Sequence, residues 1–437
     1  MNLLLYSKFL GPRVNYVVKT LFEDIAGYQL VMTQDADFFA HAEGAKIEYS
    51  NICINALSFS IPVHPFILEK SIVAQPIKIA ESHQLPAFFY CQPSSPTSLP
   101  FDLFSMAFYL LSRYEEYLPF SKDEHGRFSA QQSLAFKNQF LHQPLIDQWM
   151  AFVKEALYQR FGLLPSKGQT YQYIPTIDID FAWSYLHKNP FRSGGGLLKD
   201  LLSGQPKKVS KRLAVLRGQE ADPYFQFDFL NRLHQKHNCQ AIFFFLFGAY
   251  GSFDKNTSAD HPAMQKLVQA QSELSDIGIH PSYASHDDEQ QLKKEKEDLA
   301  GVSNQVITKS RQHFLKLTFP TTYQKLLSVG IQSDYTMGYA EDVGFRASTS
   351  HPFYWYDLEN EAETRLKVHP FQIMDVTLKN YLNLNPDEAL ATCQEIIDVV
   401  KSVNGNLVTI WHNSSFSSLM GWDDWKKVYP AIIKNAV

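Results

Sequence analysis

Apolar and polar positions along this chain follow two periods, and the change from one to the other marks the elements. Residues 3–6, 28–33 and 46–49 read as strands, with an amphipathic helix over 15–25 between them. Over 102–117 the apolar side chains Leu103, Phe104, Ala107, Leu110, Leu111 and Tyr114 recur at helical spacing. A second helix runs over 145–161, and Gly162 ends it. Residues 92–100 hold three prolines among serines, a composition that supports neither helix nor strand. A linker near 166–170 divides the chain into an N-terminal α/β part, 1–168, and a larger part, 169–437.

Beyond the linker, short apolar runs alternate with helical segments. The runs are 174–179, 241–247, 276–280, 305–309, 330–334, 344–347, 367–374 and 406–411, with helices at 225–236, 262–274, 287–299, 320–328 and 387–403. This βα rhythm predicts a (β/α) barrel or a distorted relative of one. Catalytic groups in such barrels gather at the C-terminal ends of strands. Here those ends carry Asp178 with Asp180, then His280, Asp334, Arg346, Asp375 and His412. Asp178 and Asp180 alternate with Ile177 and Ile179, so both carboxylates lie on one face of a strand. Two carboxylates desolvated together repel unless a cation or a proton lies between them. The pair therefore reads as a metal site or an acid/base site; the competing reading has both capping a helical turn near Ala182. The recurrence of titratable groups at so many strand ends favours a site.

Composition narrows this picture in a few ways. At 45% hydrophobic and 19% charged, the chain is ordinary globular protein, and its 437 residues exceed what one small core organises. The net charge of −5 gives no reason to expect nucleic acid as a partner. Cys53, Cys91, Cys239 and Cys393 are scattered without metal-ligand spacing, which points to a reducing, cytoplasmic setting. The apolar start, Met1 to Leu5, is too short for a secretory signal, and no run is long enough to span a bilayer. Gly194-Gly195-Gly196 lacks the frame of a phosphate-binding loop. The surrounding stretch, 188–217, is basic with interleaved leucines: a solvated face, or a peripheral contact with a membrane surface.

The motif Thr176-Ile177-Asp178-Ile179-Asp180 resembles the Thr-Phe-Asp-Asp-Gly motif of the polysaccharide deacetylases, carbohydrate esterase family four. Ile277-Gly278-Ile279-His280-Pro281-Ser282 stands where that family carries its His-x-x-x-His motif. Gly344-Phe345-Arg346 matches its strand-end arginine, and Ile410-Trp411-His412 its Leu-x-His. Ser112-Arg113-Tyr114-Glu115-Glu116-Tyr117, with Gly126-Arg127-Phe128, is similar to a bacterial branch in which a separate N-terminal domain precedes the barrel.

The resemblance implies a metal-dependent deacetylase acting on an N-acetylated sugar or glycan, in surface-polysaccharide synthesis. Asp178 would be the general base, oriented by Arg346, and His412 the general acid, with Asp375 to orient it or to cap a helix. Asp180 and His280 would hold a divalent metal, zinc first, with cobalt, nickel or manganese as alternatives. The second histidine of the family motif falls on Ala284. One Asp and one His make a poor site, since catalytic zinc usually takes three protein ligands. His313 is the favoured replacement, as it follows the next strand; His286 or Asp178 itself are the others. With no replacement, the chain would be a non-catalytic glycan-binding or scaffold protein. Removal of O-acetyl groups would use the same residues.

Overall fold

The computed structural model describes residues 2–93, 98–188, 190–202, 204 and 206–437, so part of the expected loop at 92–100 (94–97) lies outside the described residues. The N-terminal stretch builds a four-stranded parallel sheet in the order β2-β1-β3-β4. Its strands are β1 (Leu3–Ser7), β2 (Leu30–Thr33), β3 (Lys46–Tyr49) and β4 (Phe59–Ile61). β1, β3 and β4 are buried throughout, as parallel strands covered on both faces must be. A small hairpin of β5 (Ala80–Ser82) and β6 (Leu85–Ala87) follows.

The helix expected over 15–25 starts earlier, at Pro12, and its last turn widens to a π-helix over Thr20–Ile25. The one expected over 102–117 stops at Leu111. Asp102 caps its start by accepting from the amides of Phe104 and Ser105. Arg113 then takes a left-handed conformation, φ 53°, and a short 3-10 turn carries Tyr114–Tyr117. That break turns the Arg113 guanidinium back onto Glu115 and Glu116, each at 2.8 Å. Leu145–Phe161 is helical as its periodicity predicts.

The larger part holds a nine-stranded sheet in the order β12-β13-β11-β10-β9-β8-β7-β15-β14. In chain order these are β7 (Gln172–Ile179), β8 (Ile242–Leu246), β9 (Asp276–His280), β10 (Lys309–Ser310), β11 (Ser333–Asp334), β12 (Phe353–Asp357), β13 (Ala362–Val368), β14 (Ile373–Met374) and β15 (Asn406–His412). All neighbours run parallel except β12 and β13. Two expectations need correction. Residues 344–347 form no strand: the amide of Phe345 donates to Leu141 of the N-terminal part and that of Gly344 to Gln372, which leaves no ladder to join. The extra strand is β12 instead.

The expected barrel is also not closed by a ladder among the described residues, since β12 and β14 are the ends of the sheet. What joins the two sides is the chain itself. β13 pairs with β11, and only His369–Gln372 separate it from β14, which pairs with β15. Pro370 has no amide to donate, and the amides of Phe371 and Gln372 go to Met337 and Val408, on opposite sides of the gap.

Side-chain alternation sorts the faces. In β8, Phe243 and Phe245 join the large apolar cluster that runs through both sheets, while Ile242 and Phe244 join a smaller cluster with Tyr335, Phe371, Val408 and Ile410. Ile177 and Ile179 belong to the first cluster, so Thr176, Asp178 and Asp180 take the opposite face, over the second. No helix among the described residues is long and apolar enough to cross a membrane.

Candidate metal centre

The register of the sheet brings the candidate residues together. Asp178 lies opposite His412 on one side, and His280, at the end of β9, opposite Leu246 of β8. Three imidazoles then converge on one carboxylate. His280 Nε2 stands 3.3 Å from Asp180 Oδ1, while the Nε2 atoms of His313 and His412 stand 3.7 and 3.8 Å from Oδ2. Each ring is oriented from behind through Nδ1, which meets the carbonyl of Arg311 at 2.6 Å for His280, Asp254 at 2.8 Å for His313 and Asp375 at 2.8 Å for His412. A ring that donates through Nδ1 presents its Nε2 lone pair, the arrangement metal-binding histidines use.

Neither aspartate caps a helical turn. The amides of Ser184, Tyr185 and Leu186 go to Asp222. Asp180 Oδ1 is buried and, among the described residues, no hydrogen-bond donor reaches it. One ligand atom each from Asp180, His280 and His313 lie within 4.8 Å of one another, so the donor set fits a divalent cation.

Charge agrees with geometry. Burial works to raise the pKa of Asp180, but His313, His280 and His412 outweigh it and hold the carboxyl well below its usual range. Burial opposes charge on His313, yet Asp180 and Asp254 push its pKa up to about 9. His412 is likewise raised to about 10, by Asp375, Asp180 and Asp178 against burial. Without a cation, Asp180 draws positive charge onto His313 and His412; a bound cation would supply that charge and leave their Nε2 lone pairs free to ligate.

Asp178 is held differently. Arg311, wholly buried, donates to its Oδ1 at 2.8 Å and to Thr176 Oγ1 at 2.6 Å, with Nε on the Tyr335 carbonyl. Asp178 Oδ2 is 3.9 Å from His280 Nε2. The expectation that Arg346 orients Asp178 is therefore corrected. Arg346 is buried against Glu116, to which it donates through Nε at 2.9 Å and again through Nη2. Glu116 is shared with Arg113, so this ion-pair network joins the N-terminal part to the larger one. Asp334 is also not at the site: Ser310 and Thr336 take up its carboxylate.

His286 and His313, two of the residues expected to make good the gap at Ala284, lie in different places. His286 turns away toward Thr318, and burial lowers its pKa to about 4. His313 enters instead from the end of β10. The amide of Tyr283 donates to Asp254, the residue that holds His313. Sequence reasoning missed Asp254, which lies in a loop without periodicity. It also passed over Arg311, two residues from His313.

The centre floors an open cleft of about 180 Å³ whose walls include Phe314, Leu315, Met374 and Val376. Arg127, from the N-terminal part, and Tyr381 complete the rim. Phe314 and Leu315 both have left-handed backbone, φ 58° and 54°, immediately after His313. Such a conformation costs roughly 1–2 kcal/mol per residue, so the surroundings must hold it.

A family of unknown function (DUF7033) matches residues 3–162. No curated protein matches the chain. Among solved structures, the chain is similar to a putative polysaccharide deacetylase from Mycobacterium smegmatis, at 14% identity and a TM-score of 0.41, over 62% of this chain and 84% of that one. A family 4 carbohydrate esterase from Streptomyces lividans, in complex with acetate, matches at 11% identity and a TM-score of 0.29, over 61% and 87%. A CE4 family pseudoenzyme from Bacillus anthracis matches at 10% identity and a TM-score of 0.30, over 61% and 60%.

Proposed function

We propose that this chain is a metal-dependent hydrolase that removes the acetyl group from the amine of an N-acetylated sugar or glycan, in the cytoplasm. In this reading 169–437 carries the chemistry and 1–168 is an accessory unit. The observation that carries it is the convergence of His280, His313 and His412 on Asp180, whose Oδ1 no donor among the described residues reaches. Asp180, His280 and His313 would hold the cation, zinc in this proposal, which when bound polarises the acetyl carbonyl and makes water more acidic.

The chain's own groups do the rest. Asp178, fixed by Arg311, accepts the proton of the attacking water. His412, held in its tautomer by Asp375, returns a proton to the departing nitrogen. Water's oxygen ends on the acetyl carbon, the C–N bond breaks, and acetate and a free amine leave. The apolar walls Leu315, Met374 and Val376 suit the acetyl methyl.

Elemental analysis of the purified protein, with acetate release from N-acetylated oligosaccharides, tests this. About one equivalent of zinc, lost in both His280→Ala and His313→Ala together with acetate release, is the expected result. A parent protein that takes up no zinc, cobalt, nickel or manganese would overturn it and leave a glycan-binding protein.

A further inference from the structure

The helix Pro190–Leu202 has no buried residue. Phe191, Leu198, Leu201 and Leu202 are 91%, 57%, 56% and 80% exposed. Their spacing, with Gly194 and Gly195 between them, sets all four on one helix face. The polar residues turn the other way. Arg192 donates to the carbonyls of Lys255 and Asn256 and lies over the Tyr250 ring, and Asp200 pairs with Arg212 of the next helix, Pro206–Leu216. A helix of a soluble protein turns its apolar stripe inward, and this one turns it outward.

The surrounding charge says what would cover it. Asp200 is the one acidic residue between 188 and 217, and it is engaged by Arg212. Lys207 and Arg217 are exposed, and Lys208 is partly so. Position adds a second argument. Arg192 is anchored on the loop after β8 that carries Asp254, and Lys211 donates to Ser418 in the loop after β15. The two helices thus stand on the edge of the sheet where the cleft opens.

We propose that the Phe191, Leu198, Leu201 and Leu202 face docks on an anionic lipid surface, with its leucines in the headgroup–acyl boundary and the flanking lysines and arginine on the headgroups. A bilayer matches this face in both respects, apolar below and negatively charged around. Docking in this way would set the loops after β8 and β15, at the cleft's edge of the sheet, near the membrane, where a lipid-linked glycan would be presented. The inference does not depend on the hydrolase reading.

Co-sedimentation of the full chain with vesicles tests it, using phosphatidylcholine alone and with phosphatidylglycerol added. The parent is expected to bind the anionic vesicles and to remain largely in solution with the neutral ones. Leu198→Asp with Leu202→Asp should weaken binding on the order of tenfold or more, and Lys207→Glu with Lys208→Glu severalfold. Zinc content and circular dichroism should match the parent in both pairs. Asp180→Ala should bind vesicles as the parent does, which separates this outcome from failure of the metal centre. A parent that stays in solution with both vesicles would overturn the proposal. So would binding that the leucine variants leave unchanged, or a parent dimer in sedimentation velocity that Leu198→Asp dissociates, since the face would then belong to a second copy of this chain.

Discussion

Arg127 Nη1 donates to the carbonyl of Phe314 at 2.8 Å, across a separation of 187 residues. Phe314 is the first of two left-handed residues after His313, so a side chain from the N-terminal part clamps the turn that aims a candidate metal ligand. Asp123 holds the guanidinium in place at 2.7 Å, and His125 packs on the Phe314 ring with centroids 4.6 Å apart. Arg127→Ala should leave the protein folded and lower its zinc affinity, with Arg127→Lys intermediate. Because outer partners of ligands typically matter by 10–100-fold, a loss of about tenfold is expected for this more remote contact. Competition against a chelating dye measures it, and an unchanged affinity would remove Arg127 from the support of the centre.

Asp254 acts one step closer, on His313 Nδ1 itself. Asp254→Ala should lower zinc affinity by about 10–100-fold, as loss of a ligand's anchoring carboxylate does elsewhere. Asp254→Asn, which can still accept from Nδ1, should fall between. Isothermal titration of the metal-stripped variants ranks the three proteins, and an order with Asn below Ala would contradict this role.

The parts of this architecture visible in the sequence are those written in local periodicity. Strand alternation put Asp178 and Asp180 on one face, and the βα rhythm put His280, His313 and His412 at one edge. What the sequence did not reveal depends on contacts between distant segments. Nothing near Arg346 marks it as the partner of Glu116, and Arg311 looks the same in sequence whether it faces solvent or Asp178. Residues 344–347 have strand-like composition, yet their amides are taken by Leu141 and Gln372. Arg127 lines the cleft from the N-terminal part, whose sheet shares one apolar core with the larger one.

The two aspartates should separate on mutation. Asp178 accepts from Arg311 through Oδ1, which commits that oxygen, so Asp178→Asn should keep its metal. Loss of a general base typically lowers turnover by about 10²–10⁴-fold, and acetate release should drop by that much. Asp180→Ala should lose metal and turnover together. Metal loss in Asp178→Asn would mean that Asp178 is itself a ligand.

Glu116 offers a test at low pH, away from the metal centre. Burial works against its charge, but Arg346 and Arg113 outweigh that and lower its pKa below the ordinary glutamate range. A carboxyl whose pKa is lowered by folding stabilises the protein fully above its unfolded pKa of about 4.3 and loses that contribution as pH falls through the lower folded value. Breaking a buried pair by changing one partner costs about 3–5 kcal/mol, because it leaves the other charge uncompensated. Glu116→Gln should therefore unfold well below the parent at neutral pH, and the gap in Tm should narrow only below about pH 4. Thermal melts of the two proteins across pH 3 to 7 measure this difference, with the contributions of other carboxyls common to both. A gap that stays constant down to pH 3 would mean that the glutamine disturbs packing rather than charge, and that the Arg113, Glu116 and Arg346 network holds the two parts together by shape alone.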